Sequence, residues 1–157
     1  RSEPVLGGVY KLAGVDKDGK LMPKLKISEN VGKITNPAFK TVWRLYARAT
    51  GKAIADVVTL FDEEIDDTKP YLIFDPEHTW KRKLVTDFTA RRLPVQLFRR
   101  GERVYESPDI REIRRYCLEQ VETLWDEVLR FENPHRYYVD LSKPLWDIKQ
   151  ELLAQHG

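Results

Sequence analysis

The sequence predicts an α+β fold: antiparallel β-hairpins followed by a long amphipathic helix and a short C-terminal helix. Two observations carry this. Short apolar runs separated by turn signals fill the chain as far as Tyr105, and from Ser107 the apolar spacing changes to threes and fours. Strands come first and helices last, which argues against alternating βαβ units.

The elements follow in order. Val9 to Val15 partly alternates apolar and polar, Asp16-Lys-Asp-Gly19 is a turn signal, and Leu21 to Ile27 returns. Pro23 marks that return as an edge or a bulge. Glu29 to Pro37 is polar and irregular. Thr41–Tyr46 and Ala53–Leu60 form a second hairpin over Ala49-Thr-Gly-Lys52. Asp62 to Asp67 reads as a solvated acidic loop, since consecutive carboxylates without a fixed glycine turn make a poor calcium site. Tyr71–Phe74 is a short strand closed by Asp75-Pro76, and Lys81 to Thr89 reads as one further strand. Leu93–Arg99 and Arg103–Tyr105 pair over Arg100-Gly101. Ser107 is the expected N-cap, with Pro108 at the first helical position. Ile110, Ile113, Cys117, Val121, Leu124, Val128 and Phe131 then trace one face of a long helix. Leu118, Trp125 and Leu129 widen the stripe, so the helix is expected to pack against more than one surface. Asn133-Pro134 stops it. Tyr137 to Leu141 is extended, and Ser142 caps a last helix that buries Leu145, Ile148, Leu152 and Trp146.

Composition narrows the function classes. The 157 residues hold 27 Lys and Arg against 25 Asp and Glu, a net charge of +2. That is neither a polybasic nucleic-acid arm nor an acidic tail. The single cysteine, Cys117, excludes an internal disulfide and a multi-cysteine zinc site, and reads as a small buried residue in a reducing compartment. No apolar run approaches bilayer length, so no membrane partner and a cytoplasmic location are expected. The only methionine, Met22, falls inside a predicted hairpin, and the chain begins at Arg1. The expectation is therefore the tail of a larger enzyme.

Candidate chemistry is sparse. There is no phosphate-binding glycine loop, Cys-x-x-Cys, His-Glu-x-x-His or nucleophile elbow. His78 lies in Asp75-Pro-Glu-His-Thr-Trp-Lys-Arg82, where it has two readings: a histidine meeting a phosphate among cations, or a turn histidine beside a lysine-protected strand edge. The second is the simpler. His135, between Pro134 and Arg136, reads as a turn residue, and His156 carries no signal. Lys11, Lys24, Lys26, Lys33 and Lys40 with Arg44 make the front third locally basic, and from Lys26 to Lys40 the lysines flank a polar loop with Gly32 and Pro37. They are either phosphate-binding cations aimed into a cleft or charges on exposed strand faces. Trp43, Tyr46, Trp80, Trp125, Tyr137, Tyr138 and Trp146 fall mostly at core-compatible positions, so base stacking is disfavoured and no nucleic-acid partner is expected.

Several motifs occur together and in order: Gly8-Val-Tyr-Lys-Leu12, Lys26-Ile-Ser-Glu-Asn30 with Lys33-Ile-Thr-Asn-Pro37, Asp75 to Arg82, and Asn133-Pro-His-Arg-Tyr137 with Leu141-Ser142 and Leu145-Trp146. In that order they resemble the C-terminal third of bacterial nicotinate phosphoribosyltransferase, from about Pro4 to Leu153. The resemblance implies an enzyme that joins nicotinate to phosphoribosyl pyrophosphate in NAD salvage, driven by ATP hydrolysis through a phosphorylated histidine and assisted by magnesium. It implies a homodimer with active sites at the subunit interface. In the family the phosphorylated histidine, the nicotinate-binding arginines and the phosphate loop belong to segments preceding this one, so neither His78 nor His135 takes that role. No catalytic residue, metal site or bound cofactor is expected within the chain, and magnesium and ATP belong to the full-length enzyme. Residues 1–28 are expected to be a last barrel-region hairpin, with Gly8–Leu12 its first strand, and residues 29–157 a C-terminal α+β domain. By the same resemblance Lys33 and Lys40 are the phosphate-binding candidates.

Two other function classes stay open: a non-enzymatic interaction domain using the apolar stripe near Trp125, and a nucleic-acid module, which salt-dependent oligonucleotide binding would reveal.

Overall fold

A computed structural model describes residues 7–78 and 80–155. Residues 1–6, Thr79, His156 and Gly157 lie outside the described residues. The α+β class holds, but strands do not all precede helices: the strand Val139–Leu141 comes after two α-helices and joins the sheet of the earlier strands.

The centre is the hairpin of β3 (Lys40–Ala47) and β4 (Ala53–Leu60). Strict alternation buries Thr41, Trp43 and Leu45 on one strand and Ala53, Ala55, Val57 and Thr59 on the other. Gly51 takes φ 68°, a left-handed value that suits glycine, and its N–H donates to the Ala47 carbonyl at 2.7 Å. Neighbouring strands are β5 (Tyr71–Phe74), β6 (Arg82–Val85), β7 (Phe88–Arg92) and β10 (Val139–Leu141). Their order is β6-β5-β10-β4-β3-β7.

That order forces closure. The single strand expected over 81–89 is two strands, because Asp87 turns the chain with φ 50°. One half pairs with β5 at one edge of the sheet and the other pairs with β3 at the opposite edge. Only Thr86 and Asp87 connect them, and three Cα steps reach at most about 11 Å. The two edges therefore meet there, and the sheet curls around a core of Leu45, Val57, Ile73 and Phe88, each fully buried. β10 lies parallel to β4 over three residues but meets β5 only at Leu141 opposite Phe74. Ahead of that bridge the sheet opens.

Two small hairpins stand apart from this sheet. β1 (Gly14–Lys17) and β2 (Lys20–Pro23) turn through Asp18 and Gly19, both at positive φ. This is the two-residue turn whose twist matches paired strands. No strand forms at Gly8–Leu12, and the return stops at Pro23, short of Leu25 and Ile27. Val15, Leu21 and Met22 remain exposed, so neither strand lies on an apolar surface among the described residues. β8 (Phe98–Arg99) and β9 (Glu102–Arg103) turn through Arg100-Gly101 in the same way.

The predicted long helix is shorter and bare. Its N-cap is Asp109, not Ser107: Asp109 accepts from the Arg111 and Glu112 amides, while Glu112 reaches back to the Asp109 amide. α1 (Ile110–Glu122) then stops, and α2 (Asp126–Leu129) is a separate turn. The cause is local. Lys52 Nζ donates to the Glu122 and Leu124 carbonyls, each at 2.9 Å, and the Ala53 amide takes the Thr123 carbonyl. Those bonds draw the helix end onto the β3–β4 turn, with a cation at the negative end of the helix dipole. No residue of α1 is buried, and Ile110, Ile113, Leu118 and Val121 are exposed. Cys117, expected inside, is exposed with them.

α3 (Lys143–Ala154) starts at Ser142 as expected, whose hydroxyl accepts from the Leu145 amide. The same hydroxyl donates to Glu63 at 2.7 Å, and Tyr71 donates to the other Glu63 oxygen at 2.8 Å. Leu145 is buried, but Ile148, Leu152 and Trp146 are only half-buried. The other buried position of the helix is Lys149.

Candidate functional site

Three polar segments converge around α3 and the open end of β10. The first is the loop of Lys33 and Lys40. Asn30 caps a single 3-10 turn, Val31–Lys33, by accepting from the Gly32 amide at 3.0 Å. Lys33 is exposed on that turn. Lys40 begins β3 and is half-buried. Its Nζ donates to the Pro37 and Ala38 carbonyls at 3.1 and 2.6 Å, and burial lowers its pKa. Ala38 sits at φ 68°, costly for a residue with a side chain, and Lys40 holds that bend. The two lysines therefore differ: one is exposed at the surface and the other stabilises its own loop.

The second segment is the turn after β5. Asp75, 8% exposed, accepts from the Glu77 and His78 amides through Oδ1. His78 Nδ1 lies 3.2 Å from the same oxygen, and Lys81 Nζ 3.7 Å from the other. Desolvation pushes the Asp75 carboxyl up, but the two amides and His78 outweigh it and leave its pKa lowered. His78 is thus a turn histidine held by a carboxylate, the simpler of its two readings.

Lys149 joins these two segments. It is 3% exposed, and its Nζ donates to Asn36 Oδ1 and to the Pro76 carbonyl, each at 2.9 Å. Burial lowers its pKa, against the opposing pull of Glu77 and Asp75. A signal for it existed in the sequence: Leu145, Lys149 and Leu152 are spaced four and three apart, which puts the lysine on the apolar face.

The third segment is Pro134–Asp140. His135 donates its backbone amide to the Glu127 carbonyl at 2.8 Å, as a turn residue does. Arg136 pairs with Glu77 at 3.3 Å. Tyr137 donates to Asp56, which also forms a two-point ion pair with Arg44 at 2.7 and 2.9 Å. The ammonium groups of Lys81 and Lys83 stand 5.4 and 5.0 Å from the Tyr138 ring centre, within cation–π range. A groove of about 900 Å³ opens between this segment and the β5–β6 side of the sheet, lined by Asp75, Lys81, Lys83, Arg136, Tyr138 and Asp140 among others. The volume lies within the range of small-molecule sites.

Asp140 is the unusual member. It is 5% exposed and lines the groove, and its oxygens open onto that space: the wholly enclosed unpartnered side-chain atoms among the described residues are Trp43 Nε1 and Trp146 Nε1. Desolvation, then the neighbouring charge of Asp75, raises its pKa, with Lys81, Lys83 and Arg136 opposing. A carboxyl with a raised folded pKa binds its proton more tightly in the native state. Stability therefore falls as pH rises from the ordinary carboxyl value of 3.8 through the folded pKa. Asp140→Asn is expected to raise Tm at pH 7 by a few degrees. The gain should shrink toward pH 3, which thermal melts across pH will check.

Among the described residues, no group of three or more His, Cys, Asp or Glu side chains is placed to hold a metal ion. The acidic loop 62–67 instead serves the fold: Asp67 accepts from the Ala90 amide and Asp66 pairs with Lys69. No helix among them is long and apolar enough to cross a membrane.

A family model described as nicotinate phosphoribosyltransferase C-terminal domain matches residues 39–149. The chain belongs to the nicotinate phosphoribosyltransferase C-terminal domain family. The Bacillus subtilis nicotinate phosphoribosyltransferase is 37% identical over 153 residues, covering 98% of this chain and 31% of that protein. The Dictyostelium discoideum nicotinate phosphoribosyltransferase is 30% identical over 160 residues, covering 97% and 26%. The chain thus spans between a quarter and a third of these relatives. The crystal structure of human nicotinic acid phosphoribosyltransferase shares the fold, with a TM-score of 0.69 at 23% identity over 76% of this chain and 24% of that one. The groove, Lys40 and Lys149 all fall inside the matched stretch of the nicotinate phosphoribosyltransferase domain; Lys33 lies before it.

Proposed function

We propose that this chain works as the C-terminal portion of a nicotinate phosphoribosyltransferase, an ATP-dependent cytoplasmic enzyme of NAD salvage that joins nicotinate to phosphoribosyl pyrophosphate. The domain is scaffold: it carries no catalytic residue and does no chemistry alone. Magnesium and ATP act on the preceding portion, and the complete enzyme is a homodimer. The observation that carries this reading is the bare apolar face of α1. A helix with that stripe is stable when the stripe is buried, and among the described residues nothing buries it. The preceding portion of the same enzyme is the occupant that the relatives' greater length supports.

The same bare face also suits a non-enzymatic interaction domain. Mixing separates the two: activity restored when this chain is added to the preceding portion of a relative supports the enzyme reading, and indifference to it supports the other.

Lys33 and Lys40 remain the proposed phosphate-binding cations of the complete enzyme, and their geometry divides the roles. Lys33→Ala in a full-length enzyme is expected to raise KM for phosphoribosyl pyrophosphate or ATP about tenfold with unchanged folding. Lys40→Ala is expected to lower Tm as well, because two carbonyls lose their donor. Steady-state kinetics and melting curves check both, and unchanged kinetics in both variants removes the assignment.

A further inference from the structure

We propose that the groove beside β10 is a binding site for a small organic anion that also donates hydrogen bonds, such as a phosphorylated or carboxylated metabolite bearing hydroxyl or amino groups. This does not depend on the enzymatic reading above.

The floor and the rim of the groove differ in chemistry. At the floor Asp140 is nineteen-twentieths buried, lines the groove, and has no hydrogen-bond donor of its own among the described residues. Its neighbour Asp75 is already committed to two amides, His78 and Lys81. The wholly enclosed unpartnered side-chain atoms among the described residues are Trp43 Nε1 and Trp146 Nε1, so the Asp140 oxygens open onto the groove, where water or a ligand donor pairs them. The space that gives access to Asp140 arises because β10 meets β5 only at its last residue, Leu141. A hydroxyl, amide or ammonium of a ligand entering there completes the carboxylate.

The rest of the lining adds three cations, Lys81, Lys83 and Arg136, and one further carboxylate, Glu127. Lys83 and Lys81 stand over Tyr138, and Arg136 uses one nitrogen on Glu77 and keeps its other donors. All three cations line the same groove as Asp140, which places acid and base within the reach of one small molecule. Lysine and arginine together are the usual partners of phosphate and carboxylate. Ile54, Val128 and Trp125 supply apolar wall. A simple anion satisfies only the rim, and an uncharged donor only the floor. A ligand with both ends satisfies the whole groove.

Calorimetric titration of the 157-residue chain with AMP, glutamate, adenosine and inorganic phosphate tests this. AMP carries phosphate and ribose hydroxyls; glutamate carries carboxylate and ammonium; adenosine lacks the anion. The tighter of AMP and glutamate names the source of the anion. That ligand is expected to bind at least tenfold more tightly than adenosine and inorganic phosphate. Asp140→Asn is expected to weaken it about tenfold and to leave inorganic phosphate unchanged. Lys83→Ala with Arg136→Ala is expected to weaken every anion. Circular dichroism confirms that the variants are folded, and Lys83 and Arg136 are exposed side chains whose loss leaves no core cavity. The proposal is overturned if neither AMP nor glutamate binds, or if binding is indifferent to both sets of substitutions.

Discussion

Glutamates at Ile110 and Ile113 together are expected to abolish assembly of a full-length enzyme while leaving this chain, by itself, as stable as before. Both side chains are exposed on α1, at 77% and 48%. Exposed substitutions away from special features usually change stability by no more than about 0.5 kcal/mol. In the assembled enzyme the same positions are proposed to be covered. Burying an apolar side chain of this size contributes about 1.5–3 kcal/mol. Replacing it with an unpaired carboxylate reverses that gain and adds a desolvation cost of several kcal/mol. Two such changes exceed the whole stability of many domain interfaces. Melting of the isolated variant and gel filtration of the full-length variant give the two readouts. A full-length enzyme that assembles normally with both glutamates would locate the partner surface elsewhere.

Lys149→Ala is expected to have the largest effect on the chain itself. Truncation removes a buried four-carbon stem and leaves Asn36 Oδ1 and the Pro76 carbonyl without their donor. Each unsatisfied buried acceptor costs about 1–3 kcal/mol, less where water enters. A total near 3 kcal/mol lowers Tm on the order of 10 °C for a domain of this size. Burial lowers the lysine pKa, so the ammonium is held against a desolvation cost. Such a group specifies position more than it adds stability. Lys149→Met, which keeps the stem and drops the charge, should therefore cost less than the alanine change. It should still loosen the loop of Asn36 from the turn of Pro76, visible as faster amide exchange at Gly32 and Lys33. Equal stability of wild type and Lys149→Ala would remove this role.

What the sequence disclosed depended on how local the determining physics was. The β3–β4 hairpin was legible because alternation and a glycine turn both lie within twenty-one residues. The Ser142 cap was legible for the same reason. The division of β6 from β7 was not, because a left-handed Asp87 is invisible until the sheet must close around its core. The stripe on α1 was read correctly as apolar and wrongly as buried by this chain, since periodicity reports a face and not its occupant. The end of that helix was misplaced because Lys52, some seventy residues earlier, captures its last carbonyls. Asp140 lies between Tyr137 and Leu141, in the gap of the motif that carried the family resemblance. Its isolation from donors is a property of the opened sheet and had no counterpart in the sequence. Lys149 had one, and the helical spacing of Leu145 and Leu152 would have found it.

The most direct measurement is nicotinate mononucleotide synthesis by the purified 157-residue chain, assayed with nicotinate, phosphoribosyl pyrophosphate, magnesium and ATP. No product is expected from the chain alone, and product is expected when it is co-expressed with the preceding two thirds of the Bacillus subtilis enzyme. Turnover by the chain unaided would contradict the account, because it would place the reacting groups within residues that are assigned only support.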